Sequence, residues 1–275
     1  MADASPPPSA EAAPEAAGPR IVAFVGAKGG CGTTLLTVNV GAELASGRST
    51  CVVDMDFFKG DVAGALDLSP SRTMNELMID PSRIDDAVLH GTAARHESGL
   101  HVLAQPTDLS RALQVGSAEV YRLLAGLRKA FDLCLLDCGS RMDEVSAASA
   151  MRADLVVVVA SPHVPALRDA GRTLDLLKNL GVESARLRLV VNGVRRRPDV
   201  VLQDAAEHLG VAITATIARD DEACALADRD GKPLKIVAPR SEITRDLGAL
   251  WGRLLGERET PTARPGWTFA RLLGR

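Results

Sequence analysis

A chain of 275 residues suits one large domain or two small ones. Hydrophobic residues make up 46% but aromatics only 3%, so the core must be Val, Leu, Ile and Ala, the composition of parallel α/β sheets. A net charge of −3 gives no whole-surface attraction to nucleic acid, and five scattered cysteines with no C-x-x-C pair argue against a disulfide framework.

Residues 1–19 are Ala, Pro, Glu and Ser without periodicity and are expected to form a disordered tail. They lack the charged and apolar segments of a secretory leader. The longest apolar run, Leu155 to Ala160, is too short to cross a bilayer. The expected location is cytoplasmic, or peripheral at the inner face of the cell membrane.

Ile21–Val25 reads as a strand, and Leu35 to about Ser46 as a helix. Between them Gly29, Gly30, Cys31 and Gly32 form a glycine-rich turn, which aims backbone N–H groups at one spot beside the positive end of the helix dipole. Against the pattern G-x-x-x-x-G-K-[ST], Ala27 stands at the first glycine and Gly32 at the second. Thr34 stands at the hydroxyl that binds Mg²⁺, Thr33 takes the place of the lysine, and a lysine occurs earlier as Lys28.

Strand two, Thr50 to Asp54, ends in Asp54-Met55-Asp56. Carboxylates just past a parallel strand share the rim of the phosphate loop, where they can act with magnesium or water. Phe57 to Leu68 reads as a turn and a short apolar segment, followed by short helices at Thr73–Met78 and Ser82–Leu89. His90 to Gly99 reads as a polar loop, with His96 and His101 as surface or strand-end residues, and Gly99–Ala104 as a strand.

Ser117–Lys129 carries a helical apolar stripe at Val120, Leu123, Leu124 and Leu127. The strand Phe131–Leu136 closes on Asp137-Cys138-Gly139, the Walker B form, whose carboxylate holds a magnesium-bound water. Gly139 would let a backbone N–H approach the γ-phosphate. Cys134 and Cys138 fall on one side of this strand, as core thiols.

A helix over Met142–Met151 and a buried strand over Asp154–Ala160 follow, then a long helix opened by Pro165. Arg186–Val191 reads as a strand ending at Asn192, and Arg195-Arg196-Arg197 as a solvated run. A helix at Asp199–Leu209, a strand at Val211–Ile217, a helix from Asp221 and a final helix at Ser241–Leu255 complete the pattern. Strands alternate with helices, so residues 20–256 should form a doubly wound, mostly parallel sheet flanked by helices.

Residues 257–275 read as a polar linker and a short amphipathic helix. Trp267, Phe269, Leu272 and Leu273 fall on one arc, and Arg271 and Arg275 on the other. That arrangement suits a membrane surface, or packing on the chain's own domain or a partner.

The segment Lys28-Gly29-Gly30-Cys31-Gly32 resembles the deviant Walker A loop of the MinD/ParA class of P-loop ATPases, and Asp54-Met55-Asp56 resembles its Walker A′ element. Within the class the chain is similar to the CpaE/TadZ proteins of Flp pilus assembly. The similarity lies in Gly29–Thr34, Phe57–Ala63, Arg188–Asn192 and Gly231-Lys232-Pro233-Leu234. A receiver-like domain commonly precedes the ATPase in that family, where this sequence has 19 residues, and Ala218 stands where relatives often have proline near the adenine.

The resemblance implies ATP and Mg²⁺ as ligands and ATP-dependent homodimers in which Lys28 reaches the partner's nucleotide. Gly29 to Thr34 would wrap the phosphates, with the Thr34 hydroxyl on Mg²⁺ and Asp137 on a metal-bound water. Asp54 or Asp56 would position the attacking water, and Asn192 would contact adenine. The implied role is a spatial regulator that localises pilus or secretion machinery. ParA-like DNA partitioning and MinD-like placement of division or flagellar sites are the alternatives.

Overall fold

The computed structural model describes residues 18–106, 115–195, 202, 206 and 212–256. Eight strands form one sheet: β1 (Ile21–Gly26), β2 (Thr50–Asp54), β3 (Ala94–Arg95), β4 (His101–Leu103), β5 (Leu133–Asp137), β6 (Leu155–Ala160), β7 (Leu187–Val194) and β8 (Ile213–Ala218). Their order is β3-β4-β2-β5-β1-β6-β7-β8. Every pair is parallel except β3 with β4.

Alternation along β1 sorts the core into two halves. Ile21, Ala23 and Val25 face a cluster built with α2 (Met74–Ile79), α3 (Asp86–Thr92), α4 (Ser117–Ala130), α5 (Glu144–Arg152) and α6 (Val164–Asn179). Val22 and Phe24 face the other way, against α1 (Thr33–Leu44), α7 (Asp221–Asp230), α8 (Leu234–Val237) and α9 (Glu242–Leu255). With both faces covered, the central strands are continuous apolar runs, and β1, β5 and β6 are wholly buried. Among the described residues no helix is long and apolar enough to cross a membrane.

One carboxylate fixes the start of β1. Asp154 Oδ2 accepts the backbone N–H groups of Arg20 and Ile21, each at 2.9 Å, and Arg128 grips both of its oxygens at 2.7 and 2.8 Å. Burial alone would raise its pKa, but the Arg128 fork and the two N–H groups together hold it below the ordinary value.

Three expected boundaries are corrected. The helix expected over Ser82–Leu89 begins at Asp86, because Asp85 takes the cap and accepts from Val88 N–H at 2.8 Å, while Pro81–Arg83 forms a 3₁₀ turn. The segment expected as a polar loop holds the end of α3 and the whole of β3. Of the two readings of His96, surface or strand-end, the second stands: it follows β3 directly and is buried, its Nδ1 paired with Ser98 at 2.9 Å. The strand expected to end at Asn192 runs on to Val194 through a bulge, since Gly193 adopts φ +80° and lets Val194 pair with Ala218. The helix expected at Asp199–Leu209 lies almost wholly outside the described residues.

Candidate phosphate-binding site

β1 lies between β5 and β6 and delivers the glycine-rich loop to the carboxyl-end rim of the sheet, the rim where open α/β sheets bind ligands. Gly26 N–H donates to the Gly139 carbonyl at 2.7 Å and Ala27 N–H to the Val159 carbonyl at 2.8 Å, so both neighbouring strands pin the loop's entry. Gly30 and Gly32 have φ of +80° and +85°, which side chains rarely adopt. A Cβ at Gly30 would meet nothing within 4 Å, and one at Gly29 only Ser140 Oγ at 3.8 Å, so the outer side of the loop is open.

Thr33, in the lysine's place, turns inward. It is 7% exposed, and a Cβ on Gly26 would come within 2.6 Å of its Oγ1. It offers no cation to the open side. Lys28, Gly29 and Gly30 are exposed, whereas Cys31 is buried.

Strand register gathers the acidic residues. Asp54 pairs with Asp137 across β2 and β5, and Phe24 pairs with Asp137 across β1 and β5. Thr34 Oγ1 donates to Asp137 Oδ2 at 2.5 Å, and Gly139 N–H donates to Oδ1 at 3.3 Å. A hydroxyl and a carboxylate locked at that distance offer oxygens of the kind that a hard divalent cation, or a water bound to it, takes.

Burial pushes the Asp137 carboxyl up to about 6, although the bonds from Thr34 and Gly139 act to lower it. Burial, then the charge of Asp137, raises Asp54 in the same direction. A carboxyl raised in this way stabilises the fold below its unfolded pKa and loses that contribution as pH rises through the folded value. Ligand-free Asp137→Asn is therefore expected to exceed the parent in stability by about 1–3 kcal/mol above about pH 7, with the gap closing below about pH 4. Thermal denaturation across that range checks it, and a constant offset at every pH would count against it.

The two aspartates after β2 differ in what they hold. Asp54 is buried; its Oδ1 accepts Asp56 N–H and its Oδ2 accepts Val62 N–H, each at 3.2 Å. Asp56 is half-buried, and its Oδ1 accepts the N–H groups of Phe58 and Lys59 at 3.0 Å. A Cβ on Gly139 would collide with the Asp56 carboxylate, so the loops after β2 and β5 touch at this point.

Asn192 closes the far end of the site. Its Nδ2 donates to the Cys31 carbonyl at 2.9 Å across 161 residues of sequence, while its Oδ1 is buried with no partner among the described residues. A buried lone acceptor of this kind suits a ligand N–H. It borders a cavity of about 240 Å³ lined by Gly30, Cys31, His163, Ala218 and Cys224 among others. A larger cavity of about 1130 Å³ runs along β8 between Arg195, Arg240 and Arg253 and touches no residue of the loop.

The fold thus brings together Lys28, Gly29, Gly30, Cys31, Gly32, Thr33, Thr34, Asp54, Asp56, Asp137, Gly139 and Asn192 at one rim. Trp267, Phe269, Leu272 and Leu273 lie outside the described residues. Sequence reasoning missed Gln105, whose Nε2 donates to the Asp54 carbonyl at 2.7 Å and whose Oε1 is buried with no partner among the described residues. It also missed Ser140, beside Gly26 and Gly29. A polar residue just past an apolar strand was the signal available for both, and that signal is too common to single them out.

A glycine loop between a central parallel strand and a helix, with a Thr–Asp pair at its base, defines a P-loop nucleotide-binding protein. The AAA_31 family model, an AAA domain, matches residues 19–188, and the chain belongs to that family. The septum site-determining protein MinD of Bacillus subtilis is 26% identical over 251 residues, covering 86% of this chain and 89% of its own. Among solved structures, a ParA family ATPase from Chlorobium tepidum superposes with a TM-score of 0.79 at 21% identity, over 84% of this chain and 98% of its own. The MinD of Pyrococcus horikoshii, solved complexed with Mg-ADP, gives 0.74 at 19% identity, over 87% and 99%. The fold is that of the MinD/ParA class of P-loop ATPases.

Proposed function

We propose that the chain is an ATP-dependent dimerising switch, a slow ATPase that localises Flp (tight-adherence) pilus or secretion machinery. The carrying observation is a loop with its own lysine position filled by inward-facing Thr33, while Lys28 stands exposed on the open side. Such a loop can bind phosphates through its N–H groups while a lysine remains available to a second copy.

In this reading Gly29 to Thr34 wrap the phosphates of ATP. The Thr34 hydroxyl and, through water, Asp137 would hold Mg²⁺, which would supply neutralisation of phosphate charge. Asn192 Oδ1 accepts from the adenine amino group. Asp54, with both oxygens occupied by backbone N–H groups, holds the loop after β2, which leaves Asp56 on the rim to orient the attacking water. Loss of the loop lysine removes a charge-assisted hydrogen bond of about 1.5–3 kcal/mol, slowing hydrolysis by roughly 10- to 100-fold if that bond tightens in the transition state.

Light scattering on the full chain with Mg-ATP and with Mg-ADP tests the switch: a dimer with ATP alone supports it, and a monomer with both sinks it. The pilus assignment is supported by the residues 57–63, 188–192 and 231–234 that resemble the CpaE/TadZ proteins. The 26% identity to a septum site-determining protein supports MinD-like site placement as the second reading. Pilin and secretion-ATPase genes beside this one would favour the first.

We assign residues 20–256 to the ATPase domain and Trp267, Phe269, Leu272 and Leu273 to a peripheral membrane contact that two copies in a dimer reinforce. Liposome co-sedimentation with ATP is expected to fall at least several-fold when the chain is ended at Arg264; unchanged binding would exclude that role.

A further inference from the structure

The loop after β5 carries a cation that neither the fold nor the reading above employs. Arg141 is exposed and forms no ion pair among the described residues. Its guanidinium lies 4.1 Å from the ring centroid of Phe58, a side chain left 50% exposed on the loop after β2. A solvated arginine gains about 0.5–1 kcal/mol from such a stack, enough to bias its position while its N–H fork takes no acceptor among the described residues.

The two loops that supply this stack frame the phosphate site. Asp56 Oδ1 fixes the N–H groups of Phe58 and Lys59, and the Asp56 carboxylate packs against Gly139. Next to Arg141, Ser140 lies against the P-loop: a Cβ at Gly26 would stand 3.2 Å from Ser140 Cβ, and one at Gly29 3.8 Å from its Oγ. Arg141 is therefore one residue beyond direct contact with the loop glycines. Lys59, the other cation on these loops, stands beside Gly60, where a Cβ would meet the Asp54 carboxylate first. A planar guanidinium also presents paired donors to phosphate oxygens, which an ammonium does not.

We infer that Arg141, held in place by Phe58, is a phosphate-binding residue that supplies within the same subunit the positive charge that Thr33 cannot, and that it distinguishes a nucleoside triphosphate from a diphosphate. This rests on the reading of the loop as an ATP site and assigns that site a cation from another part of the chain.

The test is equilibrium binding of fluorescent ATP and ADP analogues to the full chain, with thermal midpoints recorded as a folding control. Arg141→Ala is expected to weaken ATP binding by about 10- to 100-fold and ADP binding by no more than about threefold, with Arg141→Lys in between. Phe58→Ala is expected to lose part of the ATP preference, and Lys59→Ala to keep it. In a Thr33→Lys background, where the loop regains its own cation, the cost of Arg141→Ala is expected to shrink to about threefold or less.

Equal losses for ATP and ADP, no loss, or an undiminished loss in the Thr33→Lys background would each overturn the inference. Binding of neither nucleotide by the parent chain would instead overturn the ATP reading, and this inference with it.

Discussion

Lys28→Ala is expected to leave the chain monomeric in Mg-ATP while its binding of ATP as a monomer changes little. Lys28 lies on the exposed arm of the loop, next to Gly29 and Gly30, and makes no ion pair among the described residues. Its removal therefore costs the fold little. In a two-fold dimer each interaction occurs twice. Two charge-assisted hydrogen bonds at about 1.5–3 kcal/mol each correspond to a dimer Kd raised by about 100- to 10⁴-fold. Light scattering across a concentration series reads that shift directly. A parent and variant that dimerise alike with ATP would remove the trans-acting lysine from the mechanism, whatever the hydrolysis rate.

Gly32→Ala should damage both the fold and the site. Gly32 precedes α1 at φ +85° and ψ 32°, and its carbonyl accepts the Leu36 N–H at 3.0 Å. A side chain in that conformation costs about 1–3 kcal/mol. Its Cβ would also collide with the Asn192 amide nitrogen, which bonds the Cys31 carbonyl. Opening that contact displaces the loop N–H groups from the phosphate position, so ATP affinity is expected to fall by about 100-fold, equivalent to roughly 3 kcal/mol. Asn192→Ala alone forfeits one neutral hydrogen bond, about 1 kcal/mol. Because the two changes share a contact, the double variant is expected to be less damaged than the sum. Urea unfolding and nucleotide titration measure both effects. A Gly32→Ala protein matching the parent in each would show that the loop does not need this geometry.

Much of the site is legible residue by residue. β2 is visible in Thr50 to Asp54 because an apolar run followed by acid marks a buried strand emerging at the rim. The loop is visible because its glycines cluster within a few positions, between a strand pattern and a helix pattern. Asp137 announces itself in the same way, by closing an apolar strand just before a glycine. The buried faces of α4 and α6 follow from a 3.6-residue period. What fails are boundaries set by single polar atoms, as where Asp85 rather than Ser82 starts α3.

The site's closure is of a different kind. Asn192 meets Cys31 only because β7 lies two strands from β1 and bulges at Gly193, and no local pattern encodes that order. Asp54 and Asp56 look alike in the sequence, and only the path of the loop after β2 buries one and leaves the other at the rim. Arg141 acquires interest only beside Phe58, and Gln105 only beneath Asp54.

By itself the sequence determined the glycine loop, the threonine in its lysine position, the aspartate closing β5 and the strand–helix alternation. Those features depend on neighbours within a few residues, where backbone propensity and periodicity act. The tertiary structure alone decided the strand order, the inward turn of Thr33, the Asn192 acceptor with no partner among the described residues, and the stacking of Arg141 on Phe58. Each of these depends on contacts between segments far apart in sequence, and crossover topology and packing, not local preference, choose which segments meet.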